Sequence, residues 1–242
     1  MMGKISREGT IMRSLLFWGL ILWGMTAVSH CCAGEFPVDV VAGKLAGGLG
    51  MPASVTQVLF VLPTTASATE GQAALLEKTG EIWSIARGPF PCTLGRSGVA
   101  APGEKKEGDG KSPQGAFALQ LAFGYEASAS TALTYRQALE DDVWVDDPAA
   151  PDYNLWKKKS ETTAASFEWM RRKDVLYKFG IVVEYNTAPI VKGAGSAIFV
   201  HIWPGPGKTT AGCVAFAEEH LLDLLKALNP ARHPHIVILP EL

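Results

Sequence analysis

The chain has little charge, few cysteines and no apolar run long enough to span a bilayer. Charged residues make up 19% of its 242 residues, the formal net charge is -2, and Lys and Arg are nowhere clustered, so the electrostatic footprint of a nucleic-acid partner is missing. Among the four cysteines there is no Cys-x-x-Cys pair, and His201, Cys213 and His220, spaced by 12 and 7 positions, fit no compact zinc pattern. Neither a metal nor another cofactor is expected. With no internal repeat, heptad or low-complexity tract, a solenoid or coiled coil has no basis in the pattern.

What is present begins with an export signature. Residues 15–28 (LLFWGLILWGMTAV) form an uncharged run of 14, short of the roughly 20 that a spanning helix needs. Lys4, Arg7 and Arg13 precede it and the small residues of HCCAGEF follow, the layout of a secretory signal peptide. The expected organisation is a signal over residues 1–34, cleaved after Ala33 or Gly34, a Gly-rich linker or lead-in over 35–53, and one domain over 54–242. Met12, directly before Arg13, is a second candidate start. Cys31 stands where a lipoprotein signal places its acylated cysteine, but His30 occupies the preceding position, where a small residue is required, so the expected destination is the periplasm or cell envelope without a lipid anchor. The exported remainder is mildly acidic and keeps Cys92 and Cys213, in a compartment where disulfides persist; a Cys92–Cys213 bridge is therefore one reading of the pair.

The composition, 48% hydrophobic with 25 Gly and 15 Pro, suits a loop-rich domain with a core. Short strand candidates follow one another: VTQVLFVL, QAALLEK, EIWSIA and PFPCTLG, with Thr-Gly-Glu after Lys78 as a hairpin turn. GVAAPGEKKEGDGKSPQG reads as a mobile loop with Lys105, Lys106 and Glu107 in solvent. Residues 125–174 read as an insertion beside a cleft, with SFEWMRRKD as a helix. LYKFGIVVEYN and SAIFVHIW are buried strands, AEEHLLDLLKALNP is an amphipathic helix with Glu218 and Glu219 in its first turn, and HIVIL is a last strand. The fold class is mainly β with a few helices, α+β.

The chemistry concentrates in HIWPGPGKTTAGC, residues 201–213. Its Gly-Lys-Thr imitates a phosphate loop, but Ile202 replaces the first glycine that such a loop requires, and Pro204 and Pro206 have no N–H to offer; nucleotide binding is excluded. A thiol nucleophile fits better. Gly212 lets a carbonyl approach the N–H groups around Cys213, and His201 ends a strand from which its ring can face the sulfur.

Two segments then carry a resemblance. KSPQGAF, residues 111–117, is similar to the [ST]-P-x-G-x-[FY] segment, and His201 with Thr210-Ala211-Gly212-Cys213-Val214 is similar to the histidine and [ST]-x-G-C-[IV] turn, of the L,D-transpeptidase (YkuD-type) catalytic domains of bacterial envelope enzymes. The resemblance spans roughly residues 54–239. Many members carry a second histidine where this chain has Ala211, and a polar residue where it has Ala215 and Phe216. The resemblance implies that family's mixed β-sheet fold and a peptidoglycan enzyme: Cys213 as nucleophile, His201 as general acid/base, and the N–H groups of Gly212 and Cys213 as oxyanion donors. The family's usual substrate contacts do not transfer, and Trp203, Thr210 and Tyr125 are the candidate substrate contacts of this chain. The resemblance also implies stem peptides as partners, with release of the terminal D-alanine and transfer to an amine of a second stem, an envelope-protein lysine, a free D-amino acid or water. Two other readings are a cysteine hydrolase of a peptidoglycan bond and a silent envelope-binding module whose Cys92–Cys213 bridge occupies the thiol.

Overall fold

Alternation along β1, Gln57–Pro63, sets up a sheet buried on both faces. Val58 and Phe60 join one apolar cluster, Leu59 and Val61 another, and all four are fully buried; successive strand residues point to opposite faces, so a run without polar interruption marks a strand covered twice. A computed structural model describes residues 36–240. The export segment and Cys31 fall outside the described residues. Among those described, no helix is long and apolar enough to cross a membrane.

A short helix α1, Val38–Ala46, precedes β1. Then come β2, Glu70–Thr79, and β3, Ile82–Thr93, joined at Gly80 with φ +60°, as the Thr-Gly-Glu turn predicts. Next are β4, Val99–Ala100, β5, Ser112–Pro113, and β6, Gly115–Gly124. The middle of the chain supplies β7, Thr134–Gln137, β8, Asp142–Val145, β9, Trp156–Lys158, and β10, Phe167–Trp169. Last are β11, Phe179–Val183, β12, Phe199–Ile202, β13, Val214–Phe216, the helix α2, Glu218–Ala227, and β14, His235–Ile238.

The main sheet has nine strands in the order β11-β12-β13-β3-β2-β1-β14-β6-β7, and a further β11–β6 pairing closes it on itself. Closure leaves β7 as an addition to β6 and removes the open edges that would otherwise template aggregation. Most neighbours are antiparallel, but β12 and β13 are parallel, with Val200 beside Val214 and His201 beside Ala215. The interior holds Leu59, Leu75, Leu94, Val200, Val214 and Ile236, and α2 lays Leu221, Leu224 and Leu225 against it. The described residues are mostly β with two α-helices, as the strand pattern predicts.

The structure differs from the sequence expectations at four places. The expected linker contains α1, whose Val38, Val41, Ala42 and Leu45 cover Val58, Phe60, Leu76 and Trp83; the i, i+3, i+4, i+7 stripe is diluted by the surrounding glycines. EIWSIA and PFPCTLG are one continuous strand, β3. SFEWMRRKD is not helical: Phe167, Glu168 and Trp169 pair with Val145, Trp144 and Val143 of β8, and that long-range ladder overrides local helix propensity. In the charged loop, Lys105 is buried and its Nζ lies 2.7 Å from Asp109 Oδ1, while Glu107 Oε2 accepts from Tyr153 at 2.5 Å and from Ser196 at 2.7 Å. Lys105 is thus tied within the loop and Glu107 to residues outside it, whereas Lys106 is exposed, as expected.

Candidate active site

Strand periodicity brings the histidine and the cysteine to one face. Val200 and Ile202 of β12 and Val214 and Phe216 of β13 enter the interior, so Phe199 and His201, and Cys213 just before β13, turn the other way. That second face carries Phe123, Trp144, Met170, Tyr177 and Phe199 together with Cys213. Parallel pairing of β12 with β13 places His201 beside Ala215, two residues along from Cys213 on the same face, and both line one cavity of about 320 Å³.

The cysteine turn is braced from three directions. Gly212 has φ +150°, a conformation that L side chains rarely adopt, and a Cβ there would lie 2.8 Å from the Lys111 carbonyl oxygen. The KSPQGAF segment is thus packed directly under the cysteine turn. Ser112, fully buried, accepts from the Gly95 N–H at 3.0 Å and donates to the Cys213 carbonyl at 3.4 Å. Thr210 Oγ1 donates to the same carbonyl at 2.7 Å and accepts from the Gly212 N–H at 3.0 Å. Here the structure departs from the expected roles: the Gly212 N–H is engaged by Thr210, and Thr210, although it lines the cavity, is also a brace.

The sulfur and the imidazole rest uncharged. Cys213 is 6% and His201 5% exposed. Burial, with the nearby Glu168 charge, pushes the Cys213 thiol up to about 12, against the pull of the Phe199 N–H donated to its sulfur at 3.3 Å. Burial likewise lowers His201 to about 4, opposed by its own bond to the backbone. His201 Nδ1 lies 2.7 Å from the Ile202 carbonyl oxygen; a carbonyl only accepts, so Nδ1 carries the proton and Nε2 keeps its lone pair.

Two expectations follow from this electrostatics. At pH 8 a thiol with a pKa of about 12 is thiolate to only about one part in 10⁴. Alkylation of the native protein by iodoacetamide is therefore expected to run on the order of 10³ slower than for a free cysteine, with both thiols reacting promptly in denaturant; rapid native labelling would contradict the burial. His201 also makes stability pH-dependent. Its folded pKa of about 4 lies below the unfolded value of about 6.5, so the unfolded state binds more protons between the two and stability is lost as pH falls through that window. The loss from this residue is about 3 kcal/mol. Urea titrations at pH 7 and pH 4.5 should show the wild type weakening more than His201→Asn, and equal slopes would remove His201 as the cause.

Other predicted residues separate. Cys92 and Cys213 are both free and lie in different apolar clusters, which corrects the disulfide reading: the thiol at the cavity is not tied. Trp203 is half-buried with its backbone N–H donated to the Phe216 carbonyl at 2.8 Å, and it is not among the cavity walls. Nor is Tyr125, whose hydroxyl donates to the Asp174 carbonyl at 2.9 Å; it is a strut beneath residues 171–174. The walls instead include Arg96, Glu168, Arg172, Leu176 and Tyr177, none of which the sequence patterns single out. Tyr177 donates to Glu168 Oε2 at 2.5 Å and sets its ring edge-on to His201 at 5.3 Å. Reading SFEWMRRKD as a strand, with Glu168 facing opposite Phe167 and Trp169, would have been the signal for it.

Comparison with known proteins agrees with the two motifs. The family model YkuD, described as the L,D-transpeptidase catalytic domain, matches residues 66–237. No curated protein matches the chain significantly. Among solved structures, Bdellovibrio bacteriovorus Bd1075 superposes with a TM-score of 0.40 at 14% identity, over 78% of this chain and 53% of that one. The helical cell shape determining protein Pgp2 from Campylobacter jejuni gives 0.36 at 13% identity, over 83% and 56%. The chain thus spans about half the length of either structure, and likeness at this level carries no argument about activity. The family model covers most of the chain and takes in KSPQGAF, His201 and the Cys213 turn, and by that match the chain belongs to the YkuD family of L,D-transpeptidase catalytic domains.

Proposed function

We propose that the protein is an exported cysteine acyltransferase of peptidoglycan, an L,D-transpeptidase acting on stem peptides. The observation that carries this reading is the shared cavity, which a free thiol just before β13 and an imidazole of β12 with Nε2 available both line. As the thiol attacks the carbonyl of the L-centre of the third stem residue, its proton passes to His201 Nε2, because the thiolate and not the thiol is nucleophilic. The Cys213 N–H steadies the tetrahedral oxyanion, a donor of a kind worth about 3–4 kcal/mol. His201 then returns the proton to the departing D-alanine amine, leaving a Cys213 thioester. An amine takes the acyl group, and His201 mediates the proton that restores the thiol.

The resting neutral pair suits this order. The ion pair forms only with the attack, so the thiol is shielded from adventitious oxidants until a donor fills the cavity. Incubation with a stem tetrapeptide, with and without an added amine, followed by mass spectrometry, tests the reading. A cross-linked or amine-exchanged product is expected; a shortened peptide under every condition would replace transfer by hydrolysis.

A further inference from the structure

A carboxylate beside a thiol that must become a thiolate is a cost to the first half of the proposed reaction. Glu168 adds to that cost: it is half-buried, lines the same cavity as Cys213, and its charge reinforces burial in holding the thiol in its protonated form. It also lines a second cavity of about 700 Å³, with Arg172 in the common wall. The other carboxylates of that second cavity have cations of their own. Glu140 pairs with Arg171 at 3.4 Å and Asp174 with Arg172 at 2.8 Å. Glu168 has no cation within salt-bridge distance among the described residues; its Oε2 is held by the Tyr177 hydroxyl. Burial raises the Glu168 carboxyl above the ordinary carboxylate range, against the Tyr177 hydrogen bond and the Arg172 charge, which makes it a better proton acceptor, and it stands in the wall that the two cavities share.

We propose that Glu168 is a catalytic residue of the second half-reaction, which binds the acceptor as an ammonium arriving through the larger cavity and takes its proton; this rests on the transpeptidase reading above. A protonated amine has no lone pair to give. On transfer of one proton to the Glu168 carboxylate, the freed lone pair forms the C–N bond to the thioester carbon. A second N–H proton passes through His201 to the sulfur as the C–S bond breaks, giving an amide and the thiol, and Glu168 releases its proton to solvent. The charge that opposes thiolate formation therefore selects a cationic acceptor over water.

The test uses the mature protein, a stem tetrapeptide as donor, and two acceptors: D-methionine, an ammonium at neutral pH, and hydroxylamine, which is already neutral. Glu168→Gln keeps an acceptor oxygen for Tyr177. With the opposing charge gone it is expected to form the acyl-enzyme at least as fast as the wild type by intact mass, to lose about 10²-fold in its ratio of transfer to hydrolysis with D-methionine, and to keep its ratio with hydroxylamine. Glu168→Asp should recover part of the loss. An unchanged D-methionine ratio, an equal loss with both acceptors, or loss of acylation itself would each overturn the assignment. Failure of the wild type to form any acyl-enzyme would instead overturn the transpeptidase reading, and this proposal with it.

Discussion

Cys213→Ala is expected to lose all turnover and the covalent adduct, with the fold retained. Removing the nucleophile of a comparable acyl-transfer enzyme costs roughly 10⁶-fold, which here means activity below detection. The structural cost is small: the sulfur is buried but leaves a side chain only one atom shorter, worth about 1 kcal/mol. His201→Ala should behave differently. It removes proton transfer and not the nucleophile, so the rate falls about 10²–10⁴-fold and the adduct still accumulates, slowly. Intact mass after incubation with a stem tetrapeptide or a carbapenem separates the two variants. An adduct on Cys213→Ala would end the assignment.

Gly212→Ala should damage stability and activity together. Its φ of +150° is strained for alanine, and the new Cβ would meet the Lys111 carbonyl oxygen at 2.8 Å and Ile198 Cδ1 at 3.2 Å. Strain of this kind costs about 1–3 kcal/mol, or a fall in Tm of roughly 3–10 °C for a domain of this size. Because the displaced carbonyl belongs to the segment under the nucleophile turn, the sulfur shifts with it, and small misplacements of reacting atoms are expensive, on the order of 10²-fold. Gly205→Ala is the matched control: its φ is +153°, yet a Cβ there meets nothing within 4 Å. It should show the strain without the loss of rate. A Gly212→Ala protein with wild-type Tm and turnover would mean that the turn is not as tightly wedged as these contacts require.

The legible parts of the fold are those whose local pattern and long-range packing agree. Leu221, Leu224 and Leu225 advertise α2, and the run around Phe60 advertises β1, because burial there follows simple periodicity. Two elements were hidden for different reasons. Around α1, glycines at 43, 47, 48 and 50 mask a stripe of four apolar residues. Around β10, helix-favouring residues conceal a strand that exists only because β8 is there to pair with it. The site divides along the same line. His201 and Cys213 stand in motifs whose residue types declare their chemistry. Glu168 reaches the cavity from β10, and Arg172 and Tyr177 from the irregular segment that follows it, all outside both motifs, so no spacing rule names them. Thr210 was legible as a site residue, but its bracing of the Cys213 carbonyl was not.

The parallel pairing of β12 with β13 has a consequence for how such an enzyme changes over time. A parallel neighbour can be reached only by bringing the chain back along the length of the strand, and residues 203–212 do so without a helix, contributing Pro204, Thr209, Thr210 and Ala211 to the cavity wall. The placement of His201 and Cys213 on one face is fixed by strand register, whereas part of the cavity wall is supplied by this returning loop. Insertions or deletions at its exposed residues, such as Pro204, Pro206 and Lys208, would alter which donors enter while leaving the reacting atoms in register. Selectivity and reactivity are therefore separately variable in this chain.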